Sequence, residues 1–282
     1  MGLLRTEFLY LERTQIPDEE EQYQAYSAIA RVFGEQPVVL RTLDAGGDKD
    51  VPYLGLPAEA NPFLGQRAIR LCLARPELFQ PQLRAALRAG AGGNLKLMFP
   101  MVATLAELRA ARVRLAECRA ALVAEGRAVA ETMEVGIMIE VPAAAVLADR
   151  FAPEVDFFSI GTNDLSQYTL AADRTNARVS GLANALHPAV LRLVRGVVEA
   201  AHAHGKWVGV CGELAGEPLA IPVLLGLGVD ELSMSAPAIP AAKEIVRSLD
   251  LRETRALAEK VLELDDAAEV EALVSKAVAL PR

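Results

Sequence analysis

Short, nearly uninterrupted apolar runs alternate along this chain with longer stretches whose apolar residues recur every three or four positions. The runs are Leu3–Tyr10, Val38–Leu43, Leu95–Pro100, Val135–Val141, Phe157–Ile160, Trp207–Val210 and Glu231–Met234. Each is a few residues long and continuous in apolar character, which predicts parallel strands buried on both faces. The patterns between them predict helices, and three carry local signals. Four acids, Asp18 to Glu21, follow Pro17 where a helix dipole is positive, and the pattern runs to about Phe33 before Gly34. Thr104 and Glu107 have capping-box spacing ahead of an Ala/Leu/Arg stretch that ends near Gly126. Pro188 suits a first helical position, and Gly205 closes that helix before the next apolar run.

Strand and helix in strict alternation predict an α/β fold with a parallel sheet. No Gly-x-Gly-x-x-Gly turn follows a strand, which favours a (β/α)8 TIM-type barrel over an open doubly wound sheet. Seven strand candidates and a chain that starts almost inside the first of them predict a barrel lacking its first strand and helix. Such a fragment would leave a sheet edge exposed.

Composition narrows the possibilities. The chain has 282 residues, 52% apolar and 23% charged, enough for a substantial core. With no Pro/Gly/Ser-rich linker, residues 1–282 read as one domain. Lys plus Arg total 29 against 37 Asp plus Glu, a net charge of -8, and no basic run is present. That argues against a nucleic-acid partner, whose binding needs clustered cations. Arg5, Glu7, Glu12 and Arg13 interrupt any leader-like apolar start, and the apolar stretch from Leu219 to Val229 is too short to cross a bilayer. Cys72, Cys118 and Cys211 are too few for a disulfide scaffold, so a reduced cytoplasmic setting is expected.

The candidate chemistry lies at the C-terminal ends of the expected strands, where active sites of such barrels form. One run leads into Arg41, Asp44 and the Gly46-Gly47-Asp48-Lys49 loop; others lead into Glu140, into Gly161-Thr162-Asn163-Asp164 and into Cys211-Gly212-Glu213. Glu140 and Asp164, two carboxylates from adjacent strand ends without His or Cys partners, suit a hard cation such as Mg2+ or Mn2+. Taken singly, either acid more commonly pairs with an arginine or caps a helix. Arg5, Arg41, Arg67 and Arg174 are the candidates for gripping a phosphate or carboxylate through the guanidinium fork. A surface ion pair is the ordinary role of a lone arginine, but Arg5 and Arg41 lie in or at the end of apolar runs. Cys211 at the rim is a candidate acid, base or nucleophile, against the commoner role of a small core thiol. Cys72 and Cys118 read as structural. His202 and His204 do not share a helix face, and His187 belongs to a helix-starting turn.

The string Phe158-Ser-Ile-Gly-Thr-Asn-Asp-Leu-Ser-Gln-Tyr-Thr-Leu-Ala-Ala-Asp-Arg174 resembles the signature of phosphoenolpyruvate-utilising enzymes. Leu3-Leu-Arg-Thr-Glu-Phe-Leu9, Arg41-Thr-Leu-Asp-Ala-Gly-Gly-Asp-Lys49, Asn61-Pro-Phe-Leu-Gly-Gln-Arg67 and Cys211-Gly-Glu-Leu-Ala-Gly216 narrow the resemblance to Enzyme I of the bacterial sugar phosphotransferase system. The similarity, carried by these five ordered motifs, covers essentially the whole chain, which resembles that family's C-terminal, phosphoenolpyruvate-binding barrel. The resemblance implies Mg2+ on Glu140 and Asp164, and substrate phosphate and carboxylate on Arg5, Arg41 and Arg174. Asn163 would join them at the phosphate, with Arg67 near the same pocket. Cys211 would protonate the enolate to give pyruvate. It also implies a homodimer, and transfer to a histidine on an N-terminal domain and then to HPr for sugar uptake. That histidine loop has no counterpart around His187, His202 or His204, so this chain alone is not expected to complete protein phosphorylation. The competing readings are a fragment of pyruvate phosphate dikinase or phosphoenolpyruvate synthase, and a non-catalytic module that dimerises or senses phosphoenolpyruvate.

Overall fold

The computed structural model describes residues 1–11, 13–47, 49 and 51–278. Asp48 of the glycine loop and Glu12 near the start lie outside the described residues. Two compact units are present, one of Met1 and Leu3–Met138, the other of Gly2 and the chain from Ile139 onward. Both consist of parallel βα repeats, so the α/β class expected from the apolar rhythm is the class observed.

In the first unit, β1 (Leu4–Arg5), β2 (Val38–Arg41), β3 (Leu95–Phe99) and β4 (Val135–Ile139) pair in chain order. The register sets Arg5 opposite Arg41, and Arg41 opposite Met98. β1 is much shorter than the apolar run Leu3–Tyr10. The Thr6 hydroxyl donates to the Arg41 carbonyl at 2.9 Å, and the chain then coils into a 3-10 turn, Thr6–Leu9. An apolar run marks burial but not how the backbone is paired, and here a side chain satisfies the neighbouring carbonyl. Helices cover the sheet. Glu19–Phe33 starts from a reciprocal capping box of Asp18 and Glu21 and stops at Gly34, whose φ of 57° suits glycine. Leu105–Ala124 starts from the matching box of Thr104 and Glu107. Phe79 of the helix Pro76–Ala89 meets Phe99 of β3 edge to face, centroids 6.0 Å apart, in a core shared with Tyr10, Tyr26 and Leu40.

In the second unit, the carbonyl of Ile139, last residue of β4, accepts from Gly161 N–H at 3.0 Å just past β5 (Phe157–Ile160). β6 (Trp207–Val210) and β7 (Glu231–Leu232) continue the parallel order. Trp207 stacks on Phe157 with ring centroids 4.5 Å apart. The helix Pro188–Ala203 begins at Pro188 with the His187 ring accepting from Ala189 N–H at 3.1 Å, so that imidazole is a helix cap, as the sequence predicts. Among the described residues, no helix is long and apolar enough to cross a membrane.

Thr104→Ala removes the side-chain acceptor for Glu107 N–H. It is expected to lower the unfolding free energy by about 1 kcal/mol in urea titrations, with an unchanged slope.

Candidate active site

The first unit gathers charge at the C-terminal end of β2. Arg41 ends the strand and is 5% exposed, Asp44 three residues on is 0% exposed, and Arg67 is likewise 0% exposed. Asp44 receives Arg67 at 2.9 Å on one carboxylate oxygen, and Lys49 Nζ at 2.5 Å with Arg41 at 3.3 Å on the other. Glu7, buried in the turn after β1, pairs with Arg41 and takes Lys49 Nζ at 3.0 Å. Arg41 also points a guanidinium nitrogen at the Met138 sulfur, 3.6 Å away. Among the described residues, Arg41 and half-buried Lys49 thus contact both Glu7 and Asp44, while buried Arg67 contacts Asp44. Burial alone would raise the Asp44 carboxyl, but the Arg41, Arg67 and Lys49 charges outweigh it and hold the group well below the usual carboxylate range.

The loop that returns Lys49 to this cluster depends on glycine. Gly46 has φ of 101° and exchanges backbone hydrogen bonds with Lys49 at 3.1 and 3.2 Å. A Cβ there would lie 2.7 Å from Arg67 Cβ. Arg5, by contrast, is exposed, and its guanidinium sits 5.1 Å above the Phe8 ring. The structure therefore brings Arg41 and Arg67 together through Asp44, while Arg5 contacts a different partner. Glu7 and Lys49 are members of the cluster that the motif strings contained but that sequence reasoning did not single out. The available signal was a glutamate inside an apolar run.

The second unit holds the remaining candidates at the C-terminal ends of its strands. Glu140 directly follows β4 and is 1% exposed; Asp164 lies in the first turn of the helix Thr162–Thr169 after β5 and is 6% exposed. Their strand ends are joined by the Gly161–Ile139 hydrogen bond, so the two acids leave neighbouring strands in the same direction. An Arg174 nitrogen stands 3.8 Å from Asp164, and Arg174 N–H donates to Gln167 at 2.9 Å. Asn163 accepts Glu213 N–H at 3.0 Å through its side-chain oxygen, tying the loop after β5 to the loop after β6. Cys211 is half-buried, and its thiol donates to the Ile160 carbonyl at 3.6 Å. Asn163, Ser166, Arg174 and Glu213 line a polar cleft of about 390 Å3.

Two buried carboxylates are a donor set suited to a hard cation that keeps further oxygen ligands from water or substrate. Among the described residues, no group of three or more His, Cys, Asp or Glu side chains forms a complete protein cage. Glu140 and Asp164 therefore fit Mg2+ better than zinc. The other thiols offer less chemistry: burial pushes Cys72 well above the ordinary thiol range and Cys118 up to about 11.

Two expectations follow. The Asp44 carboxyl titrates near 3.9 when unfolded and lower when folded, so its stabilisation is complete above about pH 4 and disappears as pH falls through the depressed folded value. Acid unfolding followed by circular dichroism is expected to show this loss, and Asp44→Asn to be less stable at pH 7 with a weaker acid dependence. Gly212 is the second case: a Cβ there would lie 2.0 Å from Thr162 Oγ1 and 2.8 Å from Thr162 N. Gly212→Ala is expected to destabilise by about 1–3 kcal/mol, measured by denaturant titration.

Residues 1–251 match the family model described as PEP-utilising enzyme, PEP-binding domain. The phosphoenolpyruvate-protein phosphotransferase of Staphylococcus carnosus is 58% identical over 276 residues, which are 98% of this chain and 48% of that protein. The protein of the same name from Bacillus subtilis is 55% identical with the same coverage of both chains. The chain thus spans about half the length of the curated relatives it matches. Among solved structures, a citrate lyase from Burkholderia xenovorans has a similar fold, with TM-score 0.51 and 17% identity over 97% of this chain and 84% of that one. With parallel βα repeats, charged strand ends and a family match over most of its length, the chain belongs to the PEP-utilising enzymes and corresponds to their PEP-binding domain.

Proposed function

We propose that this chain is the phosphoenolpyruvate-binding and catalytic part of a phosphoenolpyruvate-protein phosphotransferase, working with Mg2+. The observation that carries the reading is the pair Glu140 and Asp164, buried carboxylates leaving hydrogen-bonded strand ends in a chain of the PEP-binding family. A bound Mg2+ on these two acids supplies charge neutralisation at the phosphoryl oxygens. Arg41, Arg67, Arg174 and Arg5 are assigned to the phosphate and carboxylate of the substrate, and Asn163 to the phosphate. The first unit supports this with guanidinium groups that Asp44 holds at the end of β2, the second with the polar cleft that Asn163 and Arg174 line.

In this reading the bond between phosphorus and the enol oxygen breaks, and the phosphoryl group passes to an imidazole nitrogen. The electron pair stays on the enolate. The Cys211 thiol then gives its proton to the methylene carbon, forming pyruvate, and the thiolate recovers a proton from water. The accepting histidine belongs to another domain of the full-length enzyme, which passes the group to HPr for sugar uptake. A homodimer in a reduced cytoplasm completes the proposal, in keeping with three free thiols. The relatives' name favours this reading over a dikinase fragment.

Calorimetry is expected to show phosphoenolpyruvate binding that strengthens with Mg2+, with Asp164→Ala abolishing the metal dependence. No binding by a folded sample, or binding indifferent to Asp164→Ala, would overturn it. Adding a domain that carries the unphosphorylated acceptor histidine in trans should release pyruvate, at a rate lowered at least about a hundredfold by Cys211→Ala, in line with loss of a positioned proton donor.

A further inference from the structure

The segment Thr42–Ala45, which carries Asp44 and follows Arg41, is not held by strand pairing. Thr42 N–H still donates to the Met98 carbonyl at 3.0 Å, but the ladder ends there. Both backbone groups of Leu43 are instead taken by side chains. Its N–H donates to Gln82 Oε1 at 2.8 Å, and its carbonyl accepts the Cys72 thiol at 3.7 Å. Gln82 comes from the middle of the helix Pro76–Ala89 and is 0% exposed.

What orients Gln82 is a continuous chain of buried donors and acceptors. Gln82 Nε2 donates to the Tyr26 hydroxyl at 3.2 Å, and that hydroxyl donates its single proton to Gln22 Oε1 at 2.9 Å. The Tyr10 hydroxyl donates to the same Gln22 oxygen at 3.3 Å, and Gln22 Nε2 donates to the Pro17 carbonyl at 3.0 Å. With its proton committed to Gln22, Tyr26 offers Gln82 only a lone pair. The amide nitrogen of Gln82 must therefore face Tyr26, and its oxygen must face Leu43. Tyr53 O–H donates to the Tyr10 carbonyl at 2.8 Å, so the segment after the glycine loop rests on the same network. Gln22, Tyr26 and Gln82 are all essentially buried, where an unmade hydrogen bond is costly and an intact one fixes geometry.

We infer that Gln82, oriented by Tyr26 and Gln22, is a positioning residue that fixes the Arg41–Asp44 segment and thereby the anion-binding cluster, although it lies outside that cluster. The role rests on the phosphoenolpyruvate reading above, but the clamp itself is measurable without substrate. Gln82→Met keeps the volume and removes the acceptor. Tyr26→Phe removes only the group that orients the amide.

Two readouts on the whole chain, well below its unfolding temperature, separate positioning from general stability. Hydrogen exchange at the Leu43 amide is expected to accelerate about tenfold or more in Gln82→Met, as for one orphaned buried donor, and less in Tyr26→Phe. Amides of β5 and β6 should be unchanged. Phosphoenolpyruvate affinity with Mg2+ is expected to fall about tenfold in Gln82→Met and less in Tyr26→Phe. If Gln82→Met does not fold, Tyr26→Phe carries both comparisons. Unchanged Leu43 exchange would overturn the clamp. Faster exchange with unchanged affinity would overturn its positioning role. A wild-type protein that binds no phosphoenolpyruvate would overturn the functional reading and the positioning role with it, while the exchange data still decide whether the clamp exists.

Discussion

A buried carboxylate shared by three cations is the constraint from which the chemistry of the first unit follows. Asp44 is fully buried, and a lone ionised carboxyl there would cost several kcal/mol in desolvation. Arg41, Arg67 and Lys49 make the charged state the stable one, and Asp44 in turn fixes where those cations point. Glu7 performs the same service from the turn after β1. The charged groups of the cluster therefore hold one another in place. Preorganisation of this kind is what phosphoryl transfer asks of a protein, since the reaction is governed by position and charge neutralisation.

That electrostatic arrangement imposes conditions on the backbone around it. The Lys49 loop has to return sharply, which the left-handed φ of Gly46 permits and a larger residue at that position would obstruct. The segment after Arg41 has to leave the ladder without stranding its amide groups, and Gln82 and Cys72 satisfy them from two helices. Polar residues in the core are thus placed where strand pairing stops. The Tyr10–Gln22–Tyr26–Gln82 network is the continuation of that arrangement into the interior.

The second unit solves a related problem with fewer charges. One of its carboxylates, Glu140, directly follows β4 and the other, Asp164, lies in the first helical turn after β5, on the loops that follow parallel strands. Asn163 links two of the loops by accepting a backbone N–H from Glu213, and Gly212 allows that approach because it has no Cβ to strike Thr162. The half-buried Cys211 thiol sits on the same stretch, anchored to Ile160. Two carboxylates, an arginine and a thiol are thus carried on the loops that follow these strands.

Much of this was legible in the chain. Uninterrupted apolar runs specify parallel strands because both faces must be buried, and β5 and β6 occupy the residues the runs predict. Capping at Thr104 was readable because it is a local contact between a side chain and a backbone three residues away, and the acids Asp18 to Glu21 marked the other helix start through the dipole. Arg41, Glu140 and Asp164 stood out as charge at or just past the ends of apolar runs, whereas Arg67, Asn163 and Arg174 came from the motif strings. The early end of β1 was not legible, because apolar character records burial and not which donor meets a carbonyl. Nor was the membership of Glu7 and Lys49, or the role of Gln82. Each depends on a partner between 34 and 42 residues away in sequence. Local pattern determined the elements and named most of the candidate groups; only the tertiary structure decided which charges neutralise one another and which buried amide holds the segment between them, because those are pairings across elements that no period in the sequence encodes.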